Sequence, residues 1–368
     1  MTRHAERALL VAALTQPADV VAWPARDLDL VLRLLRRSRL LGRLAARLEA
    51  AGLDRALPDA ARTILASALV TTRARARLAR WELDRIAYAL RDDPSLTLVA
   101  MKGCAYLLAG LPHAEGRMFA DVDLLVPEAR LGEVEARLVA LGWRSAPLTP
   151  YDERYYRVWT HELPPLTHAE REVEVDLHHN VQMRTSRLKP DATRLLSAAR
   201  PVPTRLVPGL RLFGYSVLAP IDMTLHAMTH LFYGGEMDDA LRELVDIDAL
   251  IRHFAAHEPQ FWERFAPRAA ELDLARPAFY GLRYAARLLG TPIPPAISAA
   301  AQAWAPPAAV VALMDRLVPH ALFPPHPDRP RRAAAFARLL LYVRSHWVRM
   351  PPLMLLRHLA YKFYTRQS

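Results

Sequence analysis

Residues 98–126 read LVAMKGCAYLLAGLPHAEGRMFADVDLLV, and this stretch decides how the rest of the chain is read. Near its end Asp121 and Asp123 stand two apart, inside an apolar run of Phe119, Val122, Leu124, Leu125 and Val126. Short apolar runs of this kind read as strands, and in a strand residues i and i+2 share a face. Two carboxylates on one face of a buried strand repel each other unless a cation lies between them, and such pairs hold divalent metal, most simply Mg²⁺. Upstream, Leu96 to Met101 reads as a first strand and Gly103 as the tight turn after it. Ala105 to Ala109 then reads as a short helix whose N-terminal N–H groups favour anions, phosphate included. Downstream, Glu172 to His178 alternates again. Val173, Val175 and Leu177 point one way, and Glu172, Glu174 and Asp176 the other. Asp176 is thus a third carboxylate on a neighbouring strand. Three mutually repelling acids predict that removing one spares the metal-free fold.

Lys102-Gly103, Arg117, Asp121-Val122-Asp123-Leu124-Leu125-Val126 and Val175-Asp176-Leu177-His178 together resemble the nucleotidyltransferase superfamily that includes DNA polymerase beta. More closely, the pattern is similar to a bacterial branch labelled uncharacterised nucleotidyltransferases. The motif resemblance spans about residues 95 to 180, with a weaker likeness in the helical flanks. It implies an α+β fold with a small mixed β-sheet core between N- and C-terminal helical regions. It also implies that Asp121, Asp123 and Asp176 are the catalytic and metal-binding residues, holding two Mg²⁺ ions, with Mn²⁺ as an alternative. Lys102, Gly103, Arg117 and His178 are implied nucleotide contacts: Lys102 and Arg117 as phosphate clamps, Gly103 for close backbone approach to the triphosphate, His178 to orient Asp176 or fill the edge of the site. One departure stands out. Gly103-Cys104 replaces the usual Gly-Ser turn, so a hydroxyl contact to phosphate is missing and Lys102 is the candidate substitute charge.

A length of 368 residues fits two domains or one elaborated domain. The hydrophobic fraction of 52% is enough to fill a large core; with 13 Gly and 30 Pro it suggests helices separated by proline breaks, and no disorder. Cys104 is the single cysteine, which excludes an internal disulfide. No signal segment or spanning run is legible, so a cytoplasmic protein is expected, with peripheral contact at the inner membrane surface as a further option.

The net charge of +11 is uneven: from His326 onward eight Arg and one Lys stand against one Asp. Charge gathered in a tail rather than around the acids argues against a polymerase or other nucleic-acid partner. The tail also carries Leu339, Leu340, Leu341, Trp347, Leu353, Tyr361 and Phe363 among its cations. That mixture fits either a C-terminal helix packed on the body or an interfacial membrane helix, and the packed helix is the favoured reading.

In order, residues 1–95 read as an N-terminal helical region, with Pro58 opening a long helix. Residues 96–220 form the nucleotidyltransferase core. There Glu128 to Leu141 reads as an amphipathic helix, Trp143 to Ala146 as an edge strand, Tyr155 to His161 and Glu172 to His178 as an antiparallel pair, and Leu210 to Leu218 as one more strand. Residues 221–325 read as a helical domain and 326–368 as a basic helical tail. His226 and His230 lie four apart on one helix face; they lack an HExxH pattern, which favours packing or contact with a base over zinc. Asp246 and Asp248 do not point the same way on a helix and read as structural.

The expected function is metal-dependent transfer of a nucleoside monophosphate from an NTP, with ATP the expected donor, to a hydroxyl of a small molecule, glycan precursor or peptide. AMP transfer onto a protein, and a degenerate nucleotide-binding module at a membrane surface, are the alternatives. Neither the acceptor nor the oligomeric state is legible.

Overall fold

The computed structural model describes residues 3–93, 95–171, 173–202, 214–235, 237, 239–329 and 332–365. Its class is α+β: one mixed sheet flanked by helices on both sides of the sequence. The strands are β1 (Leu98–Ala100), β2 (Asp121–Leu125), β3 (Trp143–Ser145), β4 (Leu166–His168), β5 (Glu174–His178), β6 (Arg200–Pro201) and β7 (Tyr215–Val217). They lie in the order β3-β4-β5-β2-β1-β7-β6. β2 runs parallel to β5 and antiparallel to β1, and β1 runs parallel to β7.

The alternation in β2 and β5 gives the sheet two unlike faces. Val122, Leu124, Val175 and Leu177 are fully buried, and the helices Asp59–Ala89 and Leu131–Ala140 pack on their side. The opposite face carries the acids, with helices Lys102–Leu108 and Pro220–Tyr233 standing over it. Local sequence explains several boundaries. Pro58 precedes the long helix Asp59–Ala89, where its fixed φ suits a helix start. Gly52, at φ 69°, follows the helix Leu41–Ala50, a conformation glycine adopts without a Cβ penalty. One continuous apolar core runs from Leu10 to Leu341 and joins the sheet to both helical flanks.

Three expectations are corrected. Tyr155 to His161 is not a strand: Pro150–Arg154 is helical and Tyr155–Trp159 forms a π-helical turn. Thr149 caps this segment, its Oγ1 accepting from the Asp152 N–H at 3.1 Å, and Tyr155 and Trp159 use their rings for side-chain packing rather than for a pleated surface. The antiparallel partner of β5 is instead β4. The turn after β1 is made by Lys102, at φ 46°, while Gly103 lies inside the helix Lys102–Leu108. The strand expected over 210–218 is found at Tyr215–Val217; residues 203–213 are outside the described residues.

Candidate active site

The parallel register of β2 and β5 sets Asp121 opposite Glu174 and Asp123 opposite Asp176. With His178, one residue pair further along β5, these side chains share the polar face. Asp123 is 1% exposed. It accepts from Lys102 Nζ at 2.6 Å and lies 3.0 Å from His178 Nε2. Burial alone would raise the Asp123 carboxyl, but Lys102 and His178 outweigh it and hold it well below the usual range. Asp176 has the opposite environment. Burial, followed by the charges of Asp123 and Glu162, pushes it up to about 9, and its Oδ1 is buried without a hydrogen-bond partner.

Lys102 is therefore a counter-ion within the acid face. Burial opposes its charge, yet Asp123 and Asp121 keep it protonated. This revises the expectation that any acid can be removed without cost, because Asp123 neutralises a lysine in the metal-free protein. The left-handed backbone at Lys102 is uncommon for a residue with a Cβ, and such strain concentrates at functional sites.

Gly103 has a different local reason from the one sequence suggested. A Cβ there would stand 2.2 Å from Arg117 Nη1. Glycine leaves room for the Arg117 guanidinium, which donates from Nε to Asp246 Oδ2 at 3.0 Å and lies against the rings of Tyr106 and Phe119. Asp246 also accepts from Arg43 at 2.8 Å. Arg117 is thus anchored on the helix Ala240–His257 while still lining the site. Asp248 binds Arg252 and Thr291, away from the acids. Cys104 is buried, its thiol 3.5 Å from the Asp121 carbonyl oxygen, and burial together with Asp123 and Asp121 pushes that thiol up. Residue 104 therefore offers nothing to a phosphate in the cavity.

A cavity of about 560 Å³ opens between the acid face and the helix Pro220–Tyr233. This is within the usual range for small-molecule sites. Asp121, Glu162, Glu174 and Asp176 line one side. Arg39, Lys102, Arg242 and Arg349 bring positive charge from four separate parts of the chain. His226 and His230 form part of the helical wall; His230 Nδ1 lies 2.9 Å from Glu243 Oε2. His161 and Gln182 also face the cavity, and each carries a buried polar atom without a hydrogen-bond partner.

A family model described as uncharacterised nucleotidyltransferase matches residues 24–290. The chain belongs to this nucleotidyltransferase family. No curated protein and no solved structure matches it. The part shared with the nucleotidyltransferase family contains all seven strands, the acid face and the helix Pro220–Tyr233. The C-terminal helices Arg332–Arg349 and Pro352–Thr365 lie beyond it.

The donor chemistry fits a divalent cation. Asp123, Asp176 and His178 each place one ligand atom within 4.8 Å of the others, and the orphaned Asp176 Oδ1 is a hard oxygen with nothing to bind. Asp121 and Asp176 line the cavity, Asp123 sits behind Lys102, and His178 bonds Asp123 rather than Asp176. Sequence reading missed Glu162, Arg39, Gln182, Arg242 and Arg349. Of these Gln182 and Glu162 flank the Val175–His178 motif, and no alternation marks either.

Proposed function

We propose that this nucleotidyltransferase moves a nucleoside monophosphate from an NTP, with ATP the expected donor, to an acceptor hydroxyl at the acid face. The observation that supports it most is Asp176: a carboxyl in register with Asp123, with an unsatisfied buried oxygen, facing a nucleotide-sized cavity. Asp121, Asp123 and Asp176 would hold Mg²⁺ or Mn²⁺, and the bound cation would neutralise the acids and the charge that develops on phosphate.

The remaining roles belong to the chain. The acceptor oxygen attacks the α-phosphorus, the bond from that phosphorus to the bridging oxygen breaks, and pyrophosphate leaves. The ionised Asp176 carboxylate takes the hydroxyl proton. Lys102, Arg242 and Arg39 offer cations to the phosphates, and Arg117, fixed by Asp246, adds its cavity-facing edge. His178 orients Asp123. The acids brought into register on one sheet face favour catalysis over a degenerate binding role. The test is mass spectrometry of cell extract incubated with protein, Mg²⁺ and labelled ATP. A labelled product absent with Asp176→Asn supports the reading, and a protein product would select AMP transfer onto a protein over a small acceptor. Absence of any labelled product with the wild-type protein counts against it.

A second reading concerns location. Phe336, Leu339, Val343 and Trp347 recur at helical spacing on the exposed side of Arg332–Arg349, while Ala334, Ala337 and Leu341 face inward. Leu353 and Leu356 are exposed on the next helix, Leu353 at 82%. From Arg332 onward the sequence has six Arg, one Lys and no acid; Arg332 and Arg357 are exposed, whereas Arg344 bonds the Phe232 carbonyl and Arg349 lines the cavity. Exposed apolar anchors with cations and no carboxylate complement an anionic lipid surface, and we propose that this face docks there. No helix among the described residues is long and apolar enough to cross a membrane.

A further inference from the structure

Beside the acid face lies a second cluster with different donor chemistry. Glu162 forms an isolated antiparallel bridge to His178 at the end of β5, and His161 precedes it. Glu162 Oε2 lies 3.3 Å from His178 Nδ1 and 3.8 Å from His161 Nε2. The two imidazole rings are 5.3 Å apart between centroids. One ligand atom from each of the three residues lies within 4.8 Å of the others.

The two nitrogens of His178 differ in what they face. Nε2 meets Asp123 Oδ1 at 3.0 Å. Nδ1, on the other side of the ring, points away from Asp123 and toward Glu162. The side chain is 2% exposed, and this nitrogen has no hydrogen-bond partner. It nevertheless faces a carboxylate oxygen at 3.3 Å. An imidazole nitrogen and a carboxylate oxygen at this separation can share one cation. His161 Nδ1 is also buried without a hydrogen-bond partner, so that ring too is incompletely satisfied.

The geometry points to a site for a transition-metal ion of the zinc class, held by His161, Glu162 and His178 and richer in imidazole than the carboxylate site of Asp121, Asp123 and Asp176 beside it. Two imidazoles and one carboxylate suit Zn²⁺, whereas Mg²⁺ prefers oxygen alone. Zinc bonds of about 2.0–2.2 Å in a tetrahedron set neighbouring donors roughly 3.4 Å apart, close to the observed 3.3 and 3.8 Å. Asp123, bonded to the far nitrogen of His178, is the carboxylate that commonly orients a metal-binding histidine. All three ligands line the cavity, so the fourth coordination position faces the space where an acceptor enters. That position suits an oxygen: water, a hydroxyl or a carboxylate.

The test uses untagged, chelator-treated, nucleotide-free full-length protein titrated with Zn²⁺, and with Co²⁺ as a visible probe. One equivalent of Zn²⁺ should bind far more tightly than Mg²⁺, and Co²⁺ should give the strong visible absorption of a four-coordinate site. His161→Ala and Glu162→Gln should each weaken binding roughly tenfold or more, with melting temperatures showing that both variants fold. Absence of Zn²⁺ binding, or equal affinity in wild type and His161→Ala, overturns the site. Mg²⁺–ATP binding measured on the same proteins separates this outcome from failure of the nucleotide reading, because the nucleotide site requires neither His161 nor Zn²⁺.

Discussion

Asp176 stands directly across from Asp123 in the parallel register of β2 and β5, and their surroundings push the two carboxyls in opposite directions, Asp123 down and Asp176 up. Lys102 and His178 stabilise the charge on Asp123. Asp176 has burial and like charges around it, and its Oδ1 has no hydrogen-bond partner among the described residues. A shared divalent cation is what would let both ionise together.

This gives a pH dependence with a defined sign. Between its ordinary value of 3.8 and its folded value of about 9, Asp176 keeps a proton in the folded state that the unfolded chain has released. Its contribution to stability is therefore lost as pH rises through that window. Asp176→Asn removes the penalty. In chelator at pH 8 the variant should melt higher than wild type by a few °C, and the gap should close as pH falls toward 3.8. Calorimetry across pH checks this; a variant that melts lower at pH 8 contradicts it.

Asp123→Asn should behave differently. It leaves Lys102 without the carboxylate 2.6 Å away. Breaking a fully buried pair costs about 3–5 kcal/mol; Lys102 keeps 21% of its side chain in solvent, so about 2 kcal/mol is expected here. Adding Lys102→Met should recover much of that loss. Urea denaturation of the two single variants and the double variant measures the coupling, and additive losses would show that the pair is unimportant.

Gly103→Ala probes the link between the acid face and Asp246. The new methyl would collide with Arg117, whose guanidinium is itself fixed by Asp246. Overpacking of this kind costs about 1–3 kcal/mol. The variant should lose stability and bind nucleotide more weakly, as followed by thermal melting and by titration with ATP. A wild-type melting temperature would mean that Arg117 moves aside freely.

The acid face was legible because period-two alternation in β2 and β5 is local: Val122 and Leu124 against Asp121 and Asp123, Val175 and Leu177 against Glu174 and Asp176. The long helix after Pro58 was legible for the same reason. Tyr155–Trp159 misled because its aromatic, β-branched composition also suits a strand, while tertiary ring packing selects the π-helical turn. Glu162 carried no signal, since an isolated bridge has no repeat. Arg39, from the turn between the helices Ala25–Arg37 and Leu41–Ala50, and Arg242 and Arg349, from distant helices, reach the cavity, and nothing in their neighbours marks that convergence. The Arg117–Asp246 pair spans 129 residues and was equally silent.

The C-terminal face should bind vesicles containing anionic lipid and not neutral ones. Binding should fall sharply near 1 M salt, where the screening length is about 3 Å. Leu353→Asp with Leu356→Asp, both at exposed positions, should abolish pelleting without lowering the melting temperature. Equal pelleting of variant and wild type, or equal binding to neutral vesicles, contradicts lipid docking.

A metal–nucleotide site at the acid face is tested most directly by the thermal stability of wild type and Asp176→Asn with ATP, with and without Mg²⁺. A ligand bound only by the folded state adds about 2.7 kcal/mol at a hundredfold excess over its Kd. That gain is expected for wild type only when Mg²⁺ or Mn²⁺ is present, with most of it lost in Asp176→Asn. No shift of wild type with any nucleoside triphosphate and either metal, or the same shift in both proteins, would contradict a metal–nucleotide site at Asp121, Asp123 and Asp176.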